Sequence, residues 1–283
     1  MEFRTIVDVP KPNFQIAPCE RMLFVGSCFA DRMGKRFTDE KFQTVVNPFG
    51  VMYNPVSIRH TIERLFAEDE KPVFDTAILT LGTNHVYVEK STGEVVDNCQ
   101  KRPANLFDER ELTVEECANE LLRSCQLLMN ANSQIHIVLT VSPIRYAKYG
   151  YHGSQLSKAT LLLAIDKLIN AQTGLMASPL SGRLERASYF PAYEIVNDEL
   201  RDYRFYAADM LHPSDQAVEY IYERFAKAYF SEETFQFLKE WKPIADVLNH
   251  KPFHPESDEY RVLMDKTMLK VAALSKKYPN FAL

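Results

Sequence analysis

Short apolar runs separated by helical patterns constrain the fold of this chain more than any other feature. Several of the runs are apolar throughout, which is typical of strands in a parallel sheet that is covered on both faces. Strands that alternate with helices predict βαβ units, and hence an α/β protein of three layers, α/β/α, with a mostly parallel sheet. The predicted strands are residues 22–25, 43–46, 76–81, 135–141 and 187–190.

Helical patterns fill the intervals between these strands. Thr113 and Glu116 have the spacing of a capping box, so one of the helices should begin there. Residues 85–90 and 94–97, joined through Ser-Thr-Gly, predict a hairpin inserted on the edge of the sheet. The predicted helices of this part are residues 31–41, 56–67, 114–129 and 155–171.

The strand pattern stops after Ser214, and helices alone are predicted beyond it. Their ranges are residues 216–229, 232–248 and 258–277. Pro252 and Pro255 exclude a continuous helix between the last two. We therefore expect an α/β domain over residues 1–230 and a helical C-terminal appendage over residues 231–283, packed on that domain.

Composition argues against several classes of function. The net charge of −5 comes from both signs interspersed along 283 residues, so no nucleic-acid partner is expected. No apolar run approaches the roughly 20 residues of a membrane-spanning helix, and residues 1–18 lack the order of a signal peptide. We therefore expect a cytoplasmic protein without a membrane span. Five cysteines without Cys-x-x-Cys spacing, and histidines without ligand spacing, predict neither disulfides nor a metal site.

Ser27 is the candidate nucleophile. It follows an apolar run and Gly26 and precedes a helical pattern, which puts it at the C-terminal end of a strand and the N-terminal end of a helix. This is where α/β enzymes place a nucleophile. Far along the chain, Asp209 and His212 have the spacing Asp-x-x-His, with which one short loop can supply a base and the carboxylate that orients it. Together these residues predict a Ser27–His212–Asp209 triad.

Each candidate also has an alternative interpretation. Ser27 would equally serve as the N-cap of the following helix, and Cys28, beside the helix N-terminus, is a rival nucleophile. Arg145 follows the strand predicted at residues 135–141 and should lie on the same rim as Ser27, where it would clamp a substrate carboxylate or phosphate; a surface ion pair is the alternative. The aromatic residues within 203–206 would line a sugar or acyl pocket, or belong to the core.

Several short motifs follow one another in a definite order along the chain. They are Gly-Ser-Cys-Phe-Ala at residues 26–30, Asn-Pro-Phe-Gly at 47–50, Thr-Leu-Gly-Thr at 80–83, Thr-Val-Ser-Pro at 140–143, Ser-Lys-Ala at 157–159 and Asp-Met-Leu-His-Pro-Ser at 209–214. As an ordered set they resemble the GSCFA family of bacterial proteins, which takes its name from the first motif and is similar to the SGNH (GDSL-like) hydrolases. The resemblance implies an SGNH-like, flavodoxin-like fold.

The resemblance also implies an oxyanion hole. In hydrolases of this type, the backbone N–H groups of the serine and of a second glycine, together with an asparagine side chain, bind the developing negative charge; the matching residues are Ser27, Gly50 and Asn84. Asparagine in this position is also a common turn former. Gly26 and His85 depart from the pattern of the wider superfamily, in which aspartate is usual at both positions.

These observations predict a serine ester hydrolase or acyltransferase that acts, without a cofactor, on a small acylated substrate such as an acylated carbohydrate. The alternative is a catalytically silent binding or scaffold protein on an SGNH-like fold, because a fold and a motif do not establish activity. A thiol enzyme that depends on Cys28 is the third interpretation.

Overall fold

A parallel five-stranded sheet forms the centre of the molecule. The computed structural model describes residues 4–67, 72–170 and 186–283. Its strands are, in chain order, β1 (Arg21–Gly26), β2 (Gln43–Val46), β3 (Thr76–Leu81), β4 (His85–Glu89), β5 (Val95–Val96), β6 (Phe107–Glu111), β7 (His136–Val141) and β8 (Ala187–Tyr189). The central sheet has the order β2-β1-β3-β7-β8, and every neighbouring pair in it is parallel. This is the flavodoxin-like order, so the predicted fold class is confirmed.

Helices cover both faces of this sheet. They are α1 (Cys28–Asp39), α2 (Pro55–Phe66), α3 (Val114–Ala131), α4 (Gly150–Asn170), α5 (Ala192–Glu194), α6 (Asp215–Tyr229), α7 (Glu232–Asn249) and α8 (Asp258–Lys277). Successive residues of β1 point to opposite faces, as in any strand. Leu23 and Val25 belong to one core with α2, α3 and α4, whereas Met22 and Phe24 belong to a second core with α1 and α6. The protein therefore has the three predicted layers.

The predicted hairpin lies elsewhere than on the edge of the central sheet. β4 pairs with both β5 and β6, and the three form a separate antiparallel sheet of order β5-β4-β6. β4 follows β3, which is flanked on both sides by β1 and β7, so no open edge is available next to it. Within β6 only Phe107 is buried and the next four residues are charged, which is why no strand was predicted there.

The C-terminal helices pack together and against the α/β part. Phe237 and Trp241 of α7 form a core with Val271 and Leu274 of α8, and Cys19 from the start of the chain joins it. The Trp241 indole N–H donates to the carbonyl of Asp39 at 3.1 Å. The predicted appendage is thus held on α1, while the division at residues 230 and 231 remains a prediction.

Candidate active site

Ser27 occupies the tight connection between β1 and α1. It is the N-cap residue of α1, and its Oγ accepts a hydrogen bond from the backbone N–H of Phe29 at 3.3 Å. The residue is fully buried. The capping role considered above is therefore present, and the same position places the hydroxyl at the C-terminal edge of the sheet, beside the first turn of α1.

Only glycine fits at position 26, where this connection begins. Its φ is +149°, and a Cβ at this position would lie 2.1 Å from the carbonyl oxygen of Thr80 on β3, so no side chain fits. Its N–H donates to Asn47 Oδ1 at 2.8 Å, and Asn47 Nδ2 donates to Asp31 of α1 at 2.5 Å. Asn47, the first residue of the Asn-Pro-Phe-Gly motif, thus ties the end of β1 to α1, a role that the sequence analysis missed.

Asp209 and His212 form the predicted pair. His212 Nδ1 lies 2.6 Å from Asp209 Oδ2, while Asp209 Oδ1 accepts the backbone N–H groups of Leu211 at 2.9 Å and His212 at 3.0 Å. The N–H of His212, then that of Leu211, then the imidazole lower the pKa of Asp209 to about 2. The carboxylate is therefore ionised at any ordinary pH, and it holds the imidazole with Nδ1 as the donor and Nε2 free to accept a proton.

Two arginines fix the loop that carries this pair. The backbone N–H of Arg145 donates to the carbonyl of Leu211, and its Nη1 donates to that of Met210, both at 3.0 Å. Arg32 of α1 binds the carbonyl of Pro213 and the carboxylate of Asp215. Because α1 begins immediately after Ser27, Arg32 attaches the histidine loop to the helix that positions the serine.

The pair and the serine are not directly bonded. Among the residues that the structure describes, no hydrogen bond joins Ser27 Oγ to His212. The serine oxygen there accepts a hydrogen bond from the N–H of Phe29 alone. Catalytic hydrogen bonds are often long in an enzyme without substrate and shorten in the Michaelis complex. The contacts of Arg32 thus attach the loop of Asp209 and His212 to α1, but the serine–histidine bond itself is not formed.

The three groups predicted for the oxyanion hole each make a hydrogen bond within the fold. The N–H of Ser27 donates to the carbonyl of Thr80 at 3.2 Å, that of Gly50 to Asn47 at 2.8 Å, and the Asn84 side-chain amide to the carbonyl of Leu112 at 2.8 Å. Gly50 has φ +94° and no atoms around its Cβ position, so a turn alone accounts for it. The backbone N–H groups of Ser27 and Gly50 are thus engaged, whereas the Asn84 amide has a second N–H without a partner among the described residues, so the oxyanion hole remains a prediction.

Lys158 is a buried cation that the sequence analysis did not single out beyond its motif. It is 1% exposed, and its Nζ donates to the carbonyls of Gly82 at 2.6 Å and Ser142 at 2.8 Å, just past the ends of β3 and β7. No carboxylate of the described residues pairs with it. Burial lowers its pKa to about 7. Lys158 therefore joins the two strand ends beside the site.

Tyr146 lies next to these strand ends. Its hydroxyl oxygen is buried without a hydrogen-bond partner in the described part of the chain, and a Cβ on Gly82 would lie 2.4 Å from it. Its ring packs edge-on against that of Tyr53, whose hydroxyl lies 3.7 Å from Cys28 Sγ. The Tyr146 phenol is thus a donor without an acceptor, close to the start of α1.

Within the described residues, the structure was also searched for a metal site, a membrane-spanning helix and disulfides. Over residues 4–67, 72–170 and 186–283, no three His, Cys, Asp or Glu side chains are grouped so that they could hold a metal ion. Within the same ranges, no helix combines the length and the apolar character needed to span a membrane. All five cysteines are free thiols.

Some known structures resemble this chain, but only distantly. A proposed platelet activating factor from Streptococcus pneumonia is 16% identical, with a TM-score of 0.45 over 74% of this chain and 84% of its own. A carbohydrate esterase of family 3 from Talaromyces cellulolyticus is 11% identical, with a TM-score of 0.42 over 78% and 99%. The acetyl xylan esterase Est2A from Butyrivibrio proteoclasticus is 11% identical, with a TM-score of 0.40 over 78% and 64%. Activity does not transfer at such distances.

Sequence comparison is more decisive. No protein of curated function matches the chain. The model of the GSCFA family matches residues 21–75 and 70–225, and that of the C-terminal domain of GSCFA domain proteins matches residues 241–283. The first model spans β1, the serine and the histidine loop. The chain belongs to the GSCFA family.

Proposed function

We propose that this protein is a serine ester hydrolase or acyltransferase that acts on a small acylated substrate, with Ser27 as nucleophile, His212 as base and Asp209 as the carboxylate that orients the base. One observation carries the proposal: the Asp209–His212 pair, 2.6 Å apart, lies on a loop that Arg32 ties to the helix beginning beside Ser27. A serine at a strand end next to such a pair is the arrangement of a catalytic triad.

The proposed reaction follows from the hydrogen bonds of the pair. Asp209 accepts a hydrogen bond from the N–H of His212 Nδ1, so the lone pair of Nε2 is available to take the proton of Ser27 Oγ as the oxygen attacks the ester carbonyl. The imidazolium then donates that proton to the leaving alcohol. Water, or the hydroxyl of an acceptor, releases the acyl group from Ser27 in the second half of the reaction, with His212 again as the base.

The developing oxyanion needs a donor that is not already engaged. The Tyr146 hydroxyl is a buried donor without a partner near the end of β3 in the described structure. β3 pairs with β1 along its length, with Gly26 opposite Thr80, so Gly82 and the phenol above it stand beside the connection that holds Ser27. We assign the oxyanion to the Tyr146 hydroxyl in this mechanism, in place of the engaged N–H groups of Ser27 and Gly50 and beside the second N–H of the Asn84 amide.

A silent binding protein is the second candidate, and one observation favours it. Ser27 is fully buried, and its oxygen caps α1. A substrate must displace whatever covers the hydroxyl before any reaction occurs. If that displacement never happens, the fold serves for binding alone.

A fluorophosphonate probe distinguishes these functions. We expect the wild-type protein to be labelled on Ser27, and Ser27→Ala and His212→Ala to lose the label. Cys28→Ala is the matched control, because it removes the neighbouring nucleophile from the same helix turn, and it should be labelled like the wild type. Loss of labelling in Cys28→Ala alone would indicate a thiol enzyme. A folded wild-type protein that is not labelled would favour the silent binding protein.

A further inference from the structure

A small cleft opens beside the histidine loop. Its volume is about 210 Å³, and its lining residues are Arg145, Gln155, Val196, Asn197, Arg201, Asp202, Tyr203 and Tyr206. Tyr206 forms a β-bridge with Pro213, and the N–H of Ala207 donates to the carbonyl of His212 at 2.7 Å. One wall of the cleft is thus continuous with the loop that holds the proposed base.

Arg145 is held in this cleft by aromatic rings. Its guanidinium carbon lies 4.2 Å from the ring centre of Tyr151, 5.4 Å from that of Tyr206 and 5.9 Å from that of Tyr203. Nη1 binds the carbonyl of Met210, and no carboxylate of the described residues pairs with the side chain. When aromatic rings pack on the faces of a guanidinium, the N–H groups along its edge remain free to donate. Two of them can then bind two oxygens of one carboxylate or phosphate.

Arg201 adds a second cation from an unusual backbone. Residues Ile195–Leu200 form a π-helical turn, and Arg201, which ends it, has φ 29° and ψ 37° in the left-handed region. π-Helical turns and left-handed residues other than glycine are rare, cost free energy and are frequent at functional sites. Arg201 also has no carboxylate partner among the described residues, whereas the nearby Asp202 already accepts the N–H of Arg204 at 2.9 Å.

Exposed aromatic rings complete the cleft. Tyr203, which lines the cleft, is 67% exposed, and Tyr151, which packs on Arg145 without lining the cleft, is 54% exposed, although large apolar surfaces are usually withdrawn from water. An aromatic ring next to a cation offers an apolar face to a sugar ring and a charge to an acidic substituent. Arg145 and Arg201, which have no carboxylate partner among the described residues, thus line the cleft with one carboxylate, that of Asp202, which is paired with Arg204. The cleft is therefore positively charged in a chain of net charge −5.

We infer that the cleft formed by Arg145, Arg201, Tyr203 and Tyr206 binds the anionic group of an acidic sugar, so that the ester cleaved or transferred at Ser27 is carried by an acidic carbohydrate. The choice of ester rests on the proposed function, but the binding of the acidic sugar does not. The anionic group is a carboxylate, as in a uronic acid, or a phosphate, as in a sugar phosphate. Both can accept hydrogen bonds from the N–H groups of two guanidinium side chains.

Calorimetric titration with unmodified sugars tests the inference without any turnover. The probes are glucuronate, glucose 6-phosphate and glucose, each titrated into the full chain at low and at moderate salt. We expect at least one acidic sugar to bind ten-fold or more tightly than glucose, with the difference reduced by salt. The tighter of the two acids identifies the anionic group. Equal binding of all three sugars, or binding of none, would overturn the inference.

Matched variants assign the binding to the cleft. Arg201→Gln should weaken the acidic sugar about ten-fold, and Tyr203→Ala should weaken it as well. Arg186→Gln is the control, because it removes the same charge from a side chain that binds Gln134 and does not line the cleft. Unchanged binding in a folded Arg201→Gln variant would overturn the assignment. If acidic sugars bind but Ser27 is never labelled by a fluorophosphonate, the binding site is supported and the proposed hydrolase function is contradicted. If Ser27 is labelled but no acidic sugar binds, the hydrolase function is supported and the binding site is contradicted.

Discussion

Individual residues at the strand ends hold the geometry around Ser27. Gly26 brings β1 so close to β3 that the position excludes every side chain, and Asn47 fastens the same turn to α1. Lys158 joins the ends of β3 and β7 through two carbonyls, without a carboxylate partner among the described residues. A buried ammonium group of this kind costs free energy, and its two carbonyl partners offset only part of that cost.

The stability of the protein should therefore depend on pH through Lys158. The folded state lowers the pKa of this amine from 10.5 to about 7, so the unfolded chain binds more protons between these two values. The free energy of unfolding should then rise with pH in this window. Well below pH 7 the amine is protonated in both states, so Lys158 should add no further pH dependence. From pH 7 to 9.5 the free energy of unfolding of the wild type should increase by about 3 kcal/mol more than that of a Lys158→Met variant.

Urea unfolding of both proteins at several pH values measures this difference. Lys167→Met, on the exposed side of the same helix, is the matched control and should follow the wild type across the window. A difference between the wild type and Lys158→Met that stays constant from pH 7 to 9.5 would show that the amine keeps its ordinary pKa in the fold.

At the scale of elements, α1 and the loop at residues 207–214 form one unit. Ser27 begins the helix, and Arg32, one turn further on, holds the loop through Pro213 and Asp215. The left-handed Met210 and the N–H groups accepted by Asp209 give the loop its shape. Positioning of the base is thus distributed between the loop itself and a helix far away in the sequence.

Arg32→Ala should separate positioning from folding. Loss of the contact to Pro213 lets the loop move, and a displacement of about 1 Å between base and nucleophile can cost about 100-fold in rate. We expect fluorophosphonate labelling of Ser27 to slow by 10- to 100-fold, with faster amide hydrogen exchange at Leu211 and His212. Lys35→Ala, on the same helix and paired only with Asp39 in the described structure, should change neither. Slower labelling without faster exchange in the loop would argue against this role for Arg32.

At the scale of the whole molecule, the C-terminal helices are part of the fold that carries the site. Trp241 is 3% exposed, lies in the core shared by α7, α8 and Cys19, and donates to Asp39 at the end of α1. The end of α1 opposite Ser27 is therefore covered by residues from the last fifth of the chain.

Trp241→Ala should destabilise the protein by about 3–5 kcal/mol, because it empties a packed site and removes the hydrogen bond to Asp39. Phe235→Ala, on the same helix but 41% exposed, should cost far less. Thermal unfolding followed by circular dichroism measures both. If the appendage and the α/β part unfold together, Trp241→Ala lowers a single transition; two separate transitions, with the higher one unchanged, would indicate that the appendage does not stabilise the α/β part.

Much of this architecture could be predicted from sequence, because it depends on local patterns. Each strand of the central sheet lies within one residue of its predicted bounds, since runs such as residues 22–25 are apolar throughout. Charged β6 gave no such pattern. The contacts of Arg32 and Lys158 span 181 and 76 positions along the chain, and no local pattern records them. The oxyanion residues were assigned by resemblance, which does not reveal that the backbone N–H groups of Ser27 and Gly50 are already hydrogen-bonded.

The central claim is that Ser27 and His212 act as one catalytic unit, and a double-mutant cycle tests it most directly. The measurement is kcat/KM on an activated acetyl ester for the wild type, Ser27→Ala, His212→Ala and the double variant. Members of a triad are strongly non-additive, so each single change should remove nearly all activity, and the double variant should be little slower than either. A double variant slower by the product of the two single effects, or a wild-type rate no higher than that of Ser27→Ala, would contradict the account.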